Sequence, residues 1–465
     1  MKEEEKKKGL GRRLFVRNAA LSGAALSMVP KFTYARSLGK KKKKKKKDDG
    51  KVSIAFIGVG GRGRSHLRNI MKRDDVRIPA ICDIDPKAIG LSLKMMKEAG
   101  YPKPEVYDQG EYAFLKLLER DDVDGVVIST PWNWHTPMAV AAMKAGKYAG
   151  VEVSAATTMQ ECWDLVNTYE ETGVPTMILE NVCYRRDVMA VLNMVRQNVF
   201  GELTHMRCGY RHDLRAVKFN PGVTFGEGAI GEARWRTQHS LKRNADLYPT
   251  HGVGPVATWL NINRGNRFLY LTSHATKSRG LHRYIVNNPA GGPDHPNAKL
   301  KWRLGDIVTT LITTYNGETI LVTHDTNSPK PYSLDFSIQG TNGLADFDYN
   351  RQRIYIEGKS PKLHHWEAMD GWFKKYDHPL WKRFGEYAAG SGHGGMDFFV
   401  DRAFVESVKR KEEPPLDVYD AAAWSAITPL SERSLAEGSM PQYFPDFTRG
   451  RWINRKPVFA LNDDY

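Results

Sequence analysis

KVSIAFIGVGGRGRSHLRNIMKRDDVRIPAICDID, residues 51–85, strings together a buried strand, a glycine turn, an amphipathic helix and a second strand that ends in an acid. Val52, Ile54, Ala55, Phe56 and Ile57 form a short apolar run bounded by glycines, the pattern of a parallel strand covered on both faces. Gly58, Gly60 and Gly63 follow at G-x-G-x-x-G spacing. The first makes a tight turn, the second lets a pyrophosphate approach the backbone, and the third lets helix and strand pack closely. The helix N-terminus then faces the phosphates. Glycines at this spacing are common by themselves. The strand before them, the helix after them and Asp83, which closes the apolar run Ile78–Cys82 at 25 residues beyond Gly58, make the pattern one for a dinucleotide. Asp83 would take ribose hydroxyls and repel a 2′-phosphate, so NAD is expected rather than NADP.

Working outward, strands and helices alternate to about residue 180. Helices are expected over Pro86–Ala99, Tyr112–Leu118, Pro137–Ala145 and Met159–Thr172, and strands over Asp124–Ser129, Tyr148–Val153 and Pro175–Leu179. Residues 51–180 therefore read as a Rossmann, doubly wound parallel-sheet domain. Trp132, Asn133, Trp134 and His135 fall in a loop at the carboxyl end of a strand, where such sheets bind ligands. After Asn181 the pattern changes. A helix over Asp187–Asn198 is followed by strand-like segments, among them Leu203–Tyr210, Phe268–His274, Asp306–Tyr315, Thr319–Thr326 and Tyr332–Gln339. Helices over Met396–Arg410 and Val418–Glu437 close the chain. Residues 181–465 thus read as an α+β domain with an open, largely antiparallel sheet, giving α/β plus α+β as the fold class. Its exposed face suits self-association as a homodimer.

The net charge of +16 suggests nucleic acid until it is located. Residues 1–51 hold 18 Lys or Arg against five acids, leaving only +3 on the other 414 residues, so nucleic-acid binding is not expected. Arg12-Arg13-Leu14-Phe15 before the alanine-rich Ala19–Val29, with Thr33-Tyr34-Ala35 as a cleavage site, reads as a twin-arginine export signal over residues 1–36, directing the protein to the periplasm or cell envelope. Residues 37–50, with Lys40–Lys47, read as a self-repelling linker. No apolar run reaches the roughly 18 residues of a membrane span. Cys82, Cys162, Cys183 and Cys208 lack metal spacing and read as buried thiols. His135, His364, His365, His378 and His393 likewise lack metal-ligand spacing, so no metal is expected. Gly390–Phe399, GSGHGGMDFF, suits either a cleft lining or a helix N-terminus.

Strand, glycine turn, acid, His135 with Pro137 behind it and a trailing mostly β domain resemble the Gfo/Idh/MocA oxidoreductase superfamily. Dehydrogenases of that superfamily carry Glu-Lys-Pro near residue 150, the lysine assisting proton transfer; here the chain reads Glu152-Val153-Ser154. With that departure, PWNWHTPMA, ENVCYRRDVMAV, GYRHDLR, YPTHGVGP and GHGGMDFF resemble glycoside hydrolase family 109, the NAD-dependent α-N-acetylgalactosaminidases, from about residue 51 to the terminal LNDDY. The resemblance implies a glycan with terminal N-acetylgalactosamine as substrate. It also implies tightly bound, recycled NAD: the sugar's 3-hydroxyl is oxidised, carbon 2 becomes acidic, the aglycone is eliminated, water adds and the hydride returns. Export fits a cofactor that is never released.

The same resemblance assigns Gly61, Arg62, Asp83, Trp132–His135, Glu152, Val153 and Asn181 to the cofactor, with Trp132 and Trp134 packing on it. It assigns Glu180, Tyr210, Arg236, Tyr248 and Tyr332 to the substrate. Tyr210, His212 and His251 become the acid–base residues, His251 standing where relatives have Asp and Pro255 where they have His. Tyr210 and His212 can share one face of a strand, and Tyr248 and His251 are expected on a turn before a helix. His251 is expected to take the 3-hydroxyl proton, and Tyr210 to serve carbon 2 or the departing oxygen with its pKa lowered by Arg236 or the nicotinamide. The alternative is an NAD-dependent sugar or cyclitol dehydrogenase, against which the missing lysine at position 153 argues.

Overall fold

The computed structural model describes residues 50–464. The expected export signal and, Gly50 excepted, the lysine-rich linker lie outside the described residues. The first sheet comprises β1 (Val52–Ile57), β2 (Val76–Arg77), β3 (Ala80–Cys82), β4 (Glu105–Tyr107), β5 (Gly125–Ile128), β6 (Tyr148–Val151) and β7 (Thr176–Ile178). They run in the order β4-β3-β1-β5-β6-β7, with β2 also on β1 and every pairing parallel. Every residue of β1 and β5 is buried, as a strand covered by helices on both faces requires. The order reverses between β1 and β5, which opens the ligand crevice at their carboxyl ends. Helix Met159–Thr172 shows why such boundaries are readable: a Thr158/Glu161 capping box starts it, and Gly173 at φ 67° ends it.

The second sheet has nine strands: β8 (Leu203–Arg211), β9 (Phe268–Ala275), β10 (Val308–Thr314), β11 (Thr319–Asp325), β12 (Phe336–Gly340), β13 (Gly343–Asp348), β14 (Arg351–Ile356), β15 (Glu367–Ala368) and β16 (Gln442–Tyr443). Their order is β15-β14-β13-β12-β8-β11-β10-β9-β16, antiparallel except for the parallel β8–β11 pair. Along β10, Val308, Thr310, Ile312 and Thr314 are buried while Leu311 is exposed, the period-two signature of a sheet with one covered face. Residues 327–335 form a loop, so the strand expected from Tyr332 begins only at Phe336. The expected helix over Val418–Glu437 is two, Val418–Ser425 and Ile427–Ala436.

The two sheets share one hydrophobic core. Helix Met396–Arg410, which follows the second sheet in sequence, lies on the first: a Cβ on Gly125 would meet Val408 at 3.2 Å, and one on Gly150 would meet Phe404 at 3.1 Å. Bare strand positions thus let a helix from the far end of the chain approach the crevice. All four cysteines are free and buried. Among the described residues no helix is long and apolar enough to cross a membrane.

Candidate active site

At the floor of the crevice Gly58 takes φ 87°, a left-handed value. A Cβ there would lie 2.6 Å from the Ser129 carbonyl oxygen, and one on Gly63 would collide with the Gly58 carbonyl, whereas Gly60 and Gly61 face open space. Two glycines therefore close the strand against the helix, and two leave bare backbone at the start of helix Gly61–Ile70, which has no side-chain cap. Asp83 accepts from the Val59 amide at 2.7 Å and the Asp85 amide at 2.9 Å. Its oxygens are fixed at the rim with acceptor capacity left for ribose hydroxyls. The cradle fits a dinucleotide.

Beside it lies an ionic network. Arg62 donates to Glu152 at 2.6 Å and to Asp397 at 2.8 Å. Asn181 and His393 also bond Asp397, at 2.7 and 2.8 Å. His66, one helical turn beyond Arg62, sits between Glu152, at 2.8 Å, and Asp401. Burial, the largest influence, opposes charge on His66, but Asp401 and Glu152 together outweigh it and the pKa rises to about 9. Burial likewise works to raise Glu152, yet Arg62 and His66 hold it below the ordinary carboxylate range. Three residues assigned to the cofactor, Arg62, Glu152 and Asn181, thus belong to one network whose hub, Asp397, sequence reasoning missed. The signal was present: Asp397 and Asp401 stand four apart on an expected helix and so share a face.

Trp132–His135 is not a loop. Helix Trp132–Lys144 starts directly after Pro131 (φ −57°), about a turn before the expected start at Pro137. Residues two apart on a helix point to different sides, so the two tryptophans separate instead of packing together on one ligand. Trp134 meets Tyr112 and Phe114, while Trp132 bonds the Val153 carbonyl at 3.2 Å and packs on Trp235 and Tyr248. Asn133 is exposed. His135 is buried, its ring nitrogens 2.7 and 2.8 Å from the carbonyls of Thr130 and Ser154, where it ties the β5 and β6 loops together. Of the set, Trp132 alone reaches the cluster described next.

Across the crevice, Tyr210 is the next-to-last residue of β8, and His212 lies just beyond the strand's end. Helix Thr250–Trp259 begins at Thr250, so His251 lies in its first turn and not on a preceding turn. The helix fits there because a Cβ on Gly252 would be 2.8 Å from the Gly209 amide nitrogen, and one on Gly254 only 3.0 Å from the Glu180 side chain. Two glycines therefore seat His251 between β8 and Glu180. His251 Nδ1 lies 2.7 and 2.9 Å from the two oxygens of Glu180, which is fully buried. The Tyr210 hydroxyl lies 2.9 Å from His212 Nδ1. A bridge between Arg211 and Ser333 delivers Tyr332, whose ring is 4.6 Å from that of His212. Tyr248 lies 4.7 Å from Tyr210 and 4.9 Å from His251, and Arg236 stacks on Tyr248 and Trp132 while pairing with Glu232.

Glu180, Tyr210, His212, Arg236, Tyr248, His251 and Tyr332 thus converge in one cluster. Their electrostatics depart from expectation at Tyr210. Burial pushes its pKa up to about 12, and Arg236 only partly offsets this. His212 is pushed below its ordinary value by burial, then by Arg236 and His251. At neutral pH the pair is a protonated phenol beside a neutral imidazole. Sequence reasoning missed Glu232 and Trp235, partners of the cluster on a short 3-10 turn and its edge. Glu232 stands four residues before Arg236, the one cue to their pairing.

Two family profiles match the chain: one described as Glycosyl hydrolase 109, C-terminal domain, over residues 184–454, and one described as Oxidoreductase family, NAD-binding Rossmann fold, over residues 52–179. An alpha-N-acetylgalactosaminidase from Tannerella forsythia is 55% identical over 424 residues, covering 89% of this chain and 90% of that protein. A glycosyl hydrolase family 109 protein from Parabacteroides distasonis is 51% identical, covering 97% and 99%. Among solved structures, levoglucosan dehydrogenase in complex with NADH and L-sorbose superposes with a TM-score of 0.64 at 19% identity, covering 85% of this chain and 99% of that one, a likeness of fold alone.

Proposed function

Because the chain belongs to glycoside hydrolase family 109, we propose that it removes terminal α-linked N-acetylgalactosamine from glycans by NAD-dependent hydrolysis. Two separately held imidazoles, His251 on Glu180 and His212 on Tyr210, flank one buried phenol at the dinucleotide crevice, and this observation carries the reading. Gly58, Gly60, Gly61, Gly63 and Asp83 would hold the cofactor's pyrophosphate and ribose, with Glu152, Val153, Asn181 and Trp132 toward the nicotinamide end. Bound NAD supplies a reversible hydride sink for carbon 3 of the sugar.

The protein's own groups move the protons. His251 takes the 3-hydroxyl proton, and Glu180 balances the imidazolium that results. The carbon-2 proton passes to the Tyr210 oxygen as the phenol proton moves to His212 Nδ1. A proton then returns through Tyr210 to the departing glycosidic oxygen, so the relay ends as it began. The depressed pKa of His212 keeps its acceptor lone pair free at neutral pH. Arg236 stabilises charge on the phenol oxygen, and Tyr248 and Tyr332 wall the sugar.

The twin-arginine signal supports export of a folded enzyme already loaded with tightly bound NAD, and the half-open face of β10 and β11 supports a homodimer. The test is to incubate the protein with an aryl α-N-acetylgalactosaminide and no added NAD, following aryl release and nicotinamide absorbance. The expected result is aglycone release with no net NADH. Net NADH accumulating on addition of NAD and a free sugar, without glycoside cleavage, would establish the dehydrogenase instead.

A further inference from the structure

The 3-10 turn Gly231–Arg234, with Trp235 at its edge, comes from the second half of the chain yet touches the first sheet's end twice. Arg234 donates to the Asp85 carboxylate at 2.8 Å, and Trp235 packs on Trp132 with ring centroids 5.0 Å apart. Asp85 lies just past β3, which ends at Cys82, and Trp132 just past β5, which ends at Ile128. In the sheet β1 stands between those two strands, so their carboxyl ends are two strand spacings apart, about 10 Å. Two adjacent side chains that reach one to each flank put their main chain over the end of β1, where Gly60 and Gly61 leave the dinucleotide cradle open. The turn is a strap across the mouth of that cradle.

The strap is rooted on one side and hinged on the other. On its carboxyl side Ala233 is buried and the Thr237 hydroxyl donates to the carbonyl of Lys218, itself buried with Nζ on Thr326 and Asn327 at 2.7 and 2.6 Å. On its amino side Gly228 and Gly231 take φ 75° and 62° with open space around them, backbone that can absorb a swing. The hold on Asp85 is one ion pair, its arginine side chain 55% exposed and its carboxylate 32%, a contact that adds little to folding and opens readily. The other Asp85 oxygen accepts the Lys87 amide as the cap of helix Pro86–Glu98, so the acceptor is held in place whether or not Arg234 is on it.

Resting on the reading of the crevice as an NAD site, we infer that this strap is the latch that keeps the dinucleotide in the protein between turnovers, with Arg234 and Asp85 as its closing contact. The cofactor's pyrophosphate lies beneath it on the glycine turn. Release requires the ion pair to part and the strap to swing on its glycines. Glu232, on the same turn, pairs with Arg236 of the sugar cluster, which ties the latch to the second ligand of the site.

The experiment reads cofactor release and not catalysis. Full protein loaded with NADH is mixed with excess NAD, and the decay of bound NADH fluorescence gives the release rate. Arg234→Ala and Asp85→Asn, the second of which keeps the helix cap, should each speed release about threefold, the reach of one exposed ion pair. The double variant should release no faster than either, because both changes remove the same contact. Release from the original protein should also quicken as ionic strength rises, and that dependence should be lost in Arg234→Ala. Unchanged rates in both single variants, or effects that multiply in the double one, overturn the latch while leaving the NAD site and the hydrolase reading intact. Original protein that binds no NADH overturns both.

Discussion

Replacing Glu180 by glutamine changes one atom and tests the acid–base assignment directly. Both oxygens of Glu180 face His251 Nδ1, at 2.7 and 2.9 Å, and the nearer oxygen also accepts the Val182 amide at 3.1 Å. An amide oxygen in the nearer position still accepts from both the Val182 amide and Nδ1, but the NH₂ takes the farther position, where an acceptor stood 2.9 Å from Nδ1, and the buried negative charge is gone. The imidazolium formed when Nε2 takes the 3-hydroxyl proton then has no counter-charge behind it, and the ring loses half of the pair that fixed its tautomer and orientation. Loss of a charge-assisted hydrogen bond costs about 1.5–3 kcal/mol, or roughly ten- to a hundredfold in rate. Where a buried carboxylate fixes a catalytic imidazole's tautomer, the amide swap reaches about 10⁴. Glu180→Gln should therefore lower kcat on an aryl α-N-acetylgalactosaminide by 10²–10⁴, roughly. In a single turnover with NAD bound, the first rise in nicotinamide absorbance should slow by the same factor, because the 3-hydroxyl proton is lost in that step. A variant that retains more than about a third of the original kcat would refute the role of His251 as base.

Three further outcomes follow from contacts described above. Asp397→Asn weakens the hub that holds Arg62, Asn181 and His393, and NAD affinity measured by fluorescence titration should fall about tenfold or more; unchanged affinity would detach the network from the cofactor. Gly252→Ala places a methyl 2.8 Å from the Gly209 amide nitrogen; overpacking of this kind costs about 1–3 kcal/mol, so Tm and turnover should drop together, and a variant with both intact would refute the claim that the glycine seats His251. Burial holds the Asp246 carboxyl up at about 7, only partly offset by the Tyr248 amide. A raised carboxyl favours the protonated native state, so its contribution falls as pH climbs from about 4 to 7 and is level above that. Asp246→Asn should gain on the original protein by a few kcal/mol at pH 8 but little at pH 4 in urea denaturation; a gap independent of pH would count against the buried carboxyl.

The first sheet was readable because its rules are local. β1 announces itself by a continuous apolar run, the turn by its glycines, and helix Met159–Thr172 by a cap at each end. What escaped was set by distant partners. Nothing near His66 in sequence predicts that Asp401, 335 residues away, raises its pKa. Pro137 misled for the opposite reason: a proline reads as a helix start, yet helix Trp132–Lys144 contains it. Tyr210 lies in the cluster with Arg236 beside it, but the sign of its pKa shift depends on how far burial outweighs one cation, a quantity that spacing does not encode.

The six residues Glu180–Arg185 explain why the site needs both halves of the chain. They leave the end of β7, turn once as a 3-10 helix over Asn181–Tyr184, and enter helix Arg186–Arg196. Within that turn Glu180 holds His251, Asn181 bonds the Asp397 hub that also holds Arg62, and Arg185 backs Tyr349. Consecutive residues of a tight 3-10 turn point in different directions, so one rigid segment reaches the acid–base pair, the cofactor network and the Tyr349 ring at once. Val182 and Cys183 are buried, and Gly254 lets helix Thr250–Trp259 press against Glu180, so the segment cannot shift toward one partner without straining its hold on the rest. The distance between cradle and imidazole is therefore set by a few bonds of main chain, and hydride and proton chemistry at adjacent carbons of one sugar ring demand that degree of fixed spacing.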